Sequence, residues 1–279
     1  MTSRVLGALV RAFLMVLLII TPSMMLPGIH QETTQIVALA AIFAFALTTF
    51  EYASTYPGLV EFRDAPPFNR IRFFSLFVTV ILLSTVARGT VEQSTFTHFV
   101  AAVGTLIGNA IDFPYSPVRL IVLMLPEGAT APEIITLRMA AGMAYLISLT
   151  SLAIFIISLR LTGWPKKKGG FNVWVNLPMF DPTAGGDVVQ RLERDARFNV
   201  TLGFLLPFIT PAAIKAASGL FGSVAITNDQ TMIWTIAAWA FLPASLFMRG
   251  IAMQRVATLI QEQRVRNSAK AEAGALQPA

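Results

Sequence analysis

The stretch that decides the fold is THFVAAVGTLIGNAIDFPYSPVRLIVLML, residues 97–125. Two apolar runs, 98–111 and 118–125, flank the helix-breaking residues DFPYSP at 112–117. A spanning helix needs about 20 mainly apolar residues, and proline interrupts a helix, so neither run can cross a bilayer alone. We therefore predict that residues 97–125, hereafter the broken segment, form a re-entrant or interfacial hairpin with its backbone covered by protein or water.

Six longer apolar segments lie on either side of the broken segment, and each is long enough to cross a bilayer. The composition agrees, because 55% of the residues are apolar, 13% are charged and the mean hydropathy is +0.66, whereas soluble domains carry about 25% charge. The sequence therefore predicts an all-α membrane protein with six transmembrane helices. They are expected at residues 5–26, 34–53, 72–90, 136–161, 198–218 and 230–249.

The distribution of charge predicts the orientation. Lys and Arg concentrate in the loops 54–71 and 163–197 and near both chain ends, whereas Asp and Glu mark the other loops. Basic loops stay cytoplasmic, which requires an even number of crossings and puts the broken segment on the outer face. We predict a bacterial inner (plasma) membrane protein with both termini cytoplasmic. The loop 163–197 carries Lys166, Lys167, Lys168, Arg191, Arg194 and Arg197.

The chain divides into a polytopic transmembrane domain, residues 1–249, and a cytoplasmic helical extension, 250–279, whose last dozen residues are expected to be disordered. Within the second basic loop, Asp187 can cap a short amphipathic helix that ends at Arg197. The extension carries an apolar stripe at helical spacing, which would pack on the basic loops, on lipid or on a partner. The stripe consists of Met253, Val256, Leu259 and Ile260.

Charged residues near the outer ends of the spans form the first candidate site. A charge within a membrane is costly and suggests function, although one near a helix end can reach water. The cluster could form a basic vestibule for an anionic solute or headgroup, or its members could pair locally and hold the hairpin. In either case we expect a basic side chain to neutralise Asp112. The members are Arg88, Asp112, Arg119, Arg138 and Lys215.

Two further features are candidates for function. Arg11 and Glu51 could pair in the inner leaflet. Their role would be structural, as an ion pair or as charges that snorkel to water, or they would belong to a proton or ion relay. Pro207 and Pro211 fall one turn apart in the fifth span, where each removes a helix hydrogen bond. They form a candidate hinge, since transporters build binding sites from interrupted spans.

Small residues indicate where helices approach closely. Gly104 and Gly108 are four residues apart in the broken segment, as are Ala140 and Ala144 in the fourth span. This spacing permits close backbone packing, within one chain or between chains.

The residue types argue against catalysis. The chain has no cysteine and two histidines, which excludes thiolate chemistry and argues against a multi-histidine metal site. A single axial bond from His30 or His98 to a haem or pigment stays open. No nucleophile-elbow, phosphate-loop, zincin or dinucleotide motif is found, so no catalytic, metal or cofactor site is predicted.

The leading hypothesis is a non-enzymatic accessory, scaffold or assembly component of a larger membrane complex. Its expected partners are membrane lipids and other membrane-protein subunits or a second copy. A small-solute transporter or channel, with an anion as one candidate solute, is the alternative, and a lipid-modifying enzyme comes third. Nucleic-acid binding is not expected, because the pI near 10.1 comes from short loops that obey the positive-inside rule.

Overall fold

The computed structural model describes residues 2–126, 128–165, 171–221 and 228–275. All the regular secondary structure in these ranges is α-helical. The loop residues Lys166, Lys167 and Lys168 lie outside them. The helices are α1 (Thr2–Met25), α2 (Gln31–Ala53), α3 (Phe68–Gly89), α4 (Thr95–Ile111), α5 (Pro117–Val122), α6 (Ala131–Thr162), α7 (Val173–Asn176), α8 (Val188–Phe221) and α9 (Asp229–Ala275).

The prediction of six long apolar helices is confirmed. By length and composition α1, α2, α3, α6, α8 and α9 can each cross a membrane, which makes the chain a multi-pass membrane protein. The broken segment forms α4 and α5 with a break between them. α6 begins five residues earlier than predicted, because Thr130 and Glu133 form a capping box and a proline occupies the first turn.

The helices pack as a bundle in which α6 and α9 are central. α9 contacts α1, α3, α6 and α8, whereas α6 contacts α3, α4, α5 and α9. One apolar cluster, which includes Leu83, Leu137 and Ile236, fills the part of the bundle near α4 and α5. A second cluster, which includes Phe62, Leu192 and Met253, fills the opposite end, where the two basic loops lie.

α8 differs from the prediction of a short loop helix followed by a separate span. Val188–Phe221 is one unbroken helix of 34 residues. Asp187 accepts hydrogen bonds from the backbone N–H groups of Val189 and Gln190 at 2.6 and 3.4 Å, as a capping residue does. The polar residues that follow Val188 form helix readily, and Leu192 is fully buried, so the amphipathic turns and the span share one axis.

The apolar stripe beyond residue 249 packs on the chain itself. Met253 and Val256 are both 0% exposed within the second cluster, and Ile260 packs against its edge. The helix also extends further than predicted: α9 continues to Ala275. Residues 268–275 are therefore helical where disorder was expected, and 276–279 lie outside the described residues.

Glycines bring two helix pairs into backbone contact. A Cβ atom on Gly142 of α6 would lie 2.7 Å from the Cα of Gly108 on α4, and one on Gly104 would lie 2.5 Å from Met139. A Cβ atom on Gly203 of α8 would lie 2.9 Å from the carbonyl oxygen of Pro243 on α9. Gly104 and Gly108 thus serve packing within the chain, one of the two uses that their spacing allows.

Candidate functional site

The break between α4 and α5 holds a compact charged site. Asp112 ends α4, and its side chain is 6% exposed. Its Oδ1 accepts a hydrogen bond from Arg119 Nε at 2.5 Å, and its Oδ2 lies 2.7 Å from Arg138 Nε. Arg119 also donates to the Asp112 carbonyl oxygen at 3.1 Å. Two guanidinium groups therefore neutralise one carboxylate, with one positive charge in excess.

Local structure positions each of these three side chains. Ser116 accepts a hydrogen bond from the backbone N–H of Arg119 at 3.0 Å and so starts α5. Gly108, four residues before Asp112, lies on the backbone of α6 next to Arg138, which brings the end of α4 to that arginine. Arg119 is 42% exposed and Arg138 is 27% exposed, so the cluster is partly open.

The other two residues of the predicted outer cluster have different partners. Arg88 forms a surface pair with Glu92, one turn later on the chain, with Nη2 and Oε2 2.7 Å apart. Lys215 Nζ, on α8, donates to the carbonyl oxygen of Leu123 at 2.8 Å. This bond ties α8 to the residue that ends α5. The structure thus brings together Asp112, Arg119 and Arg138 and uses Lys215 as a nearby helix contact.

Arg11 and Glu51, predicted to pair, bind other groups. Arg11 donates to the carbonyl oxygen of Gly7 at 2.7 Å and stacks over the ring of Tyr52. Glu51 is 4% exposed, and its carboxylate accepts the backbone N–H groups of residues 58, 59 and 60 at 2.8–3.2 Å. The predicted pair does not form because three backbone amides of the folded loop need an acceptor, and the Glu51 carboxylate at the end of α2 accepts their hydrogen bonds.

The candidate hinge lies inside the continuous helix α8. Pro207 and Pro211 are both buried, and the Pro207 carbonyl oxygen accepts a hydrogen bond from the indole Nε1 of Trp239 on α9 at 3.1 Å. Trp239 in turn stacks on Tyr145 of α6, with ring centroids 5.8 Å apart. The double-proline turn is therefore hydrogen-bonded to α9 through a tryptophan that itself packs on α6; its role as a hinge stays a prediction.

Sequence reasoning missed a second polar site, at the opposite end of the bundle. Arg249 donates to both carboxylate oxygens of Glu61, at 2.6 and 2.8 Å, and the Glu61 side chain is 9% exposed. Near this pair, the guanidinium of Arg72 lies over the rings of Phe68 and Phe241, 4.9 and 5.6 Å from their centroids. The available signal was that Glu61 and Arg249 fall at the same predicted membrane boundary.

The loop between α2 and α3 is held by a buried arginine. Arg63 donates to the carbonyl oxygens of Glu51, Ser54 and Thr55 at 2.7–3.2 Å. Asn176 of α7 joins the two basic loops, because its carbonyl and side-chain oxygens accept the backbone N–H groups of residues 62 and 64. These bonds turn the first basic loop into an ordered layer rather than a flexible linker.

The contacts described at these sites are ion pairs and hydrogen bonds within the chain. Among the residues that the structure describes, no three His, Asp or Glu side chains form a group that could hold a metal ion. His30 precedes α2 and His98 lies in the first turn of α4, and both are exposed. Comparison of the chain with protein-family models, with curated proteins and with solved structures gives no match, so these sites are interpreted from their own geometry.

Proposed function

We propose that this chain is a non-enzymatic accessory or scaffold subunit of a larger membrane complex. The proposed location is a bacterial inner membrane, with both termini and the loops 54–71 and 163–197 cytoplasmic and the broken segment at the outer face as a re-entrant or interfacial hairpin. The charge asymmetry of the loops supports this orientation.

The observation that carries the proposal is the isolation of α2. Among the helices that the structure describes, α2 packs against α1 alone. Buried residues make up 11% of its most apolar stretch, against 56% in α9. A span held by one neighbour leaves most of its surface to lipid or to another subunit, and a subunit interface uses such a surface for helix packing.

The outer face of α2 has the pattern of a helix-packing surface. Aliphatic and aromatic side chains follow one another at helical spacing of three, four and seven residues. They are Ile36, Leu39, Phe43 and Phe50, each 68–70% exposed. Large rigid aromatic side chains are also enriched at interfaces between proteins.

The contacts of three buried carboxylates also support the proposal of a subunit role. Glu51 binds loop amides, Glu61 binds Arg249, and Asp112 binds two arginines, so these buried carboxylates hold the fold. An accessory subunit needs such a rigid core, whereas a transported solute or a catalytic step needs groups that are available to it.

Site-specific photocrosslinking in native membranes tests the proposal. The full-length chain would carry a photoreactive phenylalanine analogue at Phe43 of α2, and the matched control would carry it at Phe204 of α8, a residue 60% exposed against 68% for Phe43. We expect a polypeptide adduct, to another subunit or a second copy, from position 43 alone. Lipid adducts alone at both positions, from a chain that purifies as a monomer in mild detergent, would contradict the proposal.

A small-solute transporter or channel is the second candidate, because the cluster at the break has excess positive charge. Arg119 and Arg138 share the single carboxylate of Asp112, and Arg119 is 42% exposed. Anion flux into liposomes that contain the purified chain tests this candidate. The flux should fall in Arg119→Gln and stay unchanged in Arg88→Gln if the cluster conducts anions.

A further inference from the structure

A groove of about 760 Å³ lies among α6, α8 and α9, at the end of the bundle where the basic loops lie. None of the predicted sites includes it. α6 contributes Ile156 and Arg160, α8 contributes Arg197 and Val200, and α9 contributes Ile251 and Arg255. Its twelve lining residues include three arginines and no acidic residue.

The groove has two layers along the helix axes: an arginine layer and, nearer the centre of the bundle, an aliphatic layer. Gly250 and Gly203 of the antiparallel pair contact Ala196 and Pro243 respectively, which sets the register of α8 against α9. Each of the three helices contributes one arginine to the groove. On the same helix an aliphatic residue lies one turn away, nearer to the centre of the apolar span. The pairs are Ile156 and Arg160, Val200 and Arg197, and Ile251 and Arg255.

The arginines are available for an anion. Arg255 Nε donates to the carbonyl oxygen of Trp164 at 3.1 Å, which fixes the side chain while using one of its five N–H donors. Among the described residues, neither Arg160 nor Arg197 forms a salt bridge with a carboxylate, and both residues are exposed. Planar guanidinium groups match the geometry of phosphate oxygens.

We propose that this groove, hereafter the arginine groove, binds an anionic phospholipid. Its phosphate lies among Arg160, Arg197 and Arg255, and one acyl chain follows Ile156, Val200 and Ile251 toward the membrane centre. A free phosphate would use only the arginine layer, whereas a phospholipid uses both layers. Basic pockets between spans at the cytoplasmic side bind anionic headgroups in this way. The inference rests on the membrane location and is independent of the proposed subunit role.

Native mass spectrometry of the chain in detergent tests this inference, with phosphatidylglycerol as the anionic probe and phosphatidylcholine, whose headgroup is zwitterionic with no net charge, as the reference. The test variant is Arg160→Gln/Arg197→Gln/Arg255→Gln. The matched control is Arg70→Gln/Arg194→Gln/Arg266→Gln, which removes the same charge from positions outside the groove. We expect phosphatidylglycerol affinity to fall roughly fivefold for each groove arginine removed and to stay near that of the unmodified chain in the control. Equal affinity in the two triple variants would overturn the proposal.

A second variant separates a lipid from a free anion. Val200→Phe keeps every charge and fills the aliphatic layer, so it should weaken phosphatidylglycerol binding and leave any binding of inorganic phosphate unchanged. Val200 is 36% exposed, but one of its methyl groups packs against Gly250 of α9, so the unfolding midpoint of Val200→Phe in detergent is measured beside its lipid binding to separate a filled groove from a shifted helix pair. Two results would contradict the lipid assignment: competition by inorganic phosphate at a concentration equal to that of phosphatidylglycerol, or normal lipid binding by Val200→Phe. Either result would mean that the aliphatic layer has no role in binding.

Discussion

The indole N–H of Trp239 on α9 takes the place of a missing backbone donor to the carbonyl oxygen of Pro207 on α8. In an unbroken helix that carbonyl accepts from the N–H of residue 211, but residue 211 is proline and has none. Trp239 is 4% exposed, so no water is needed to satisfy the group. The Trp239 side chain of α9 therefore donates the hydrogen bond that Pro211 cannot.

This relationship predicts a specific coupling between two substitutions. Trp239→Phe should destabilise the chain by about 1–2 kcal/mol, the cost of leaving a buried acceptor without a donor. In a Pro211→Ala background the restored N–H at residue 211 can serve Pro207, so the same substitution should cost less. Thermal unfolding in detergent measures both costs. Trp174→Phe is the control, since Trp174 is 52% exposed; equal costs in both backgrounds would contradict the coupling.

A second prediction concerns the carboxylate at the break. Asp112→Asn should destabilise the fold by roughly 2–4 kcal/mol, because two guanidinium groups lose the charge that they share. The control is Glu92→Gln, which breaks the exposed pair with Arg88 and should cost at most about 0.5 kcal/mol. Chemical unfolding monitored by tryptophan fluorescence provides the comparison. A cost for Asp112→Asn no larger than that for Glu92→Gln would show that the cluster does not hold the broken segment.

The Glu61–Arg249 pair predicts non-additive behaviour. Arg249→Met leaves a buried carboxylate unpaired and should expose the loop between α2 and α3 to protease, while Glu61→Gln/Arg249→Met should be less destabilising than the sum of the two single changes. Limited proteolysis of that loop and unfolding midpoints measure the two effects. Arg266→Gln serves as the surface control, because Arg266 is 58% exposed and pairs with Glu262 one turn earlier on the same helix. Additive single costs would argue against a direct pair.

Acid should loosen the start of α8. The hydrogen bond from Arg264, with that from the Val189 N–H, lowers the pKa of Asp187 from its ordinary value. The folded state thus favours the charged form, so the stabilisation is complete above the unfolded pKa near 3.9 and is lost as the pH falls through the lower folded pKa. Hydrogen exchange in the first turn of α8 should rise in that window. Asp187→Asn keeps a capping side chain but cannot ionise, so an identical pH response in that variant would contradict the assignment.

The proposed orientation can be tested with reporter fusions. Reporters placed after Asn69, after Gly170 and after Ala279 should all read cytoplasmic, and a reporter within 126–133 should read exterior, because Lys and Arg gather in the first set of regions. An exterior reading after Gly170 would refute the even number of crossings and with it the outer position of the broken segment.

The features that were predictable from sequence are those with local causes. Hydropathy runs of about 20 residues identify the six long helices, and the prolines at 114 and 117 separate α4 from α5. The pairing of Asp112 with Arg119 was predictable because the two residues are only seven positions apart in the sequence. A hydropathy window stops at the first charged turn, which is why it placed the start of α8 at residue 198 although nothing there ends a helix.

The remaining features depend on contacts between distant parts of the chain. Glu61 and Arg249 are 188 positions apart, and only the packing of the loop after α2 against α9 brings them together. Opposite charge and a similar depth in the inner leaflet predict a pair between Glu51 and Arg11. The need of the amides at 58–60 for an acceptor becomes visible only when the loop is folded.

The length of α9 sets the height at which the chain presents its end. Its 47 residues form a rod about 70 Å long at 1.5 Å per residue, whereas a bilayer core is about 30 Å thick. In the proposed orientation and with a typical tilt of about 20°, roughly 35 Å of this helix would stand beyond the hydrocarbon. In the proposed orientation, a group bound at the end of α9 would lie beyond the lipid headgroups, at a distance from the membrane that the helix sets.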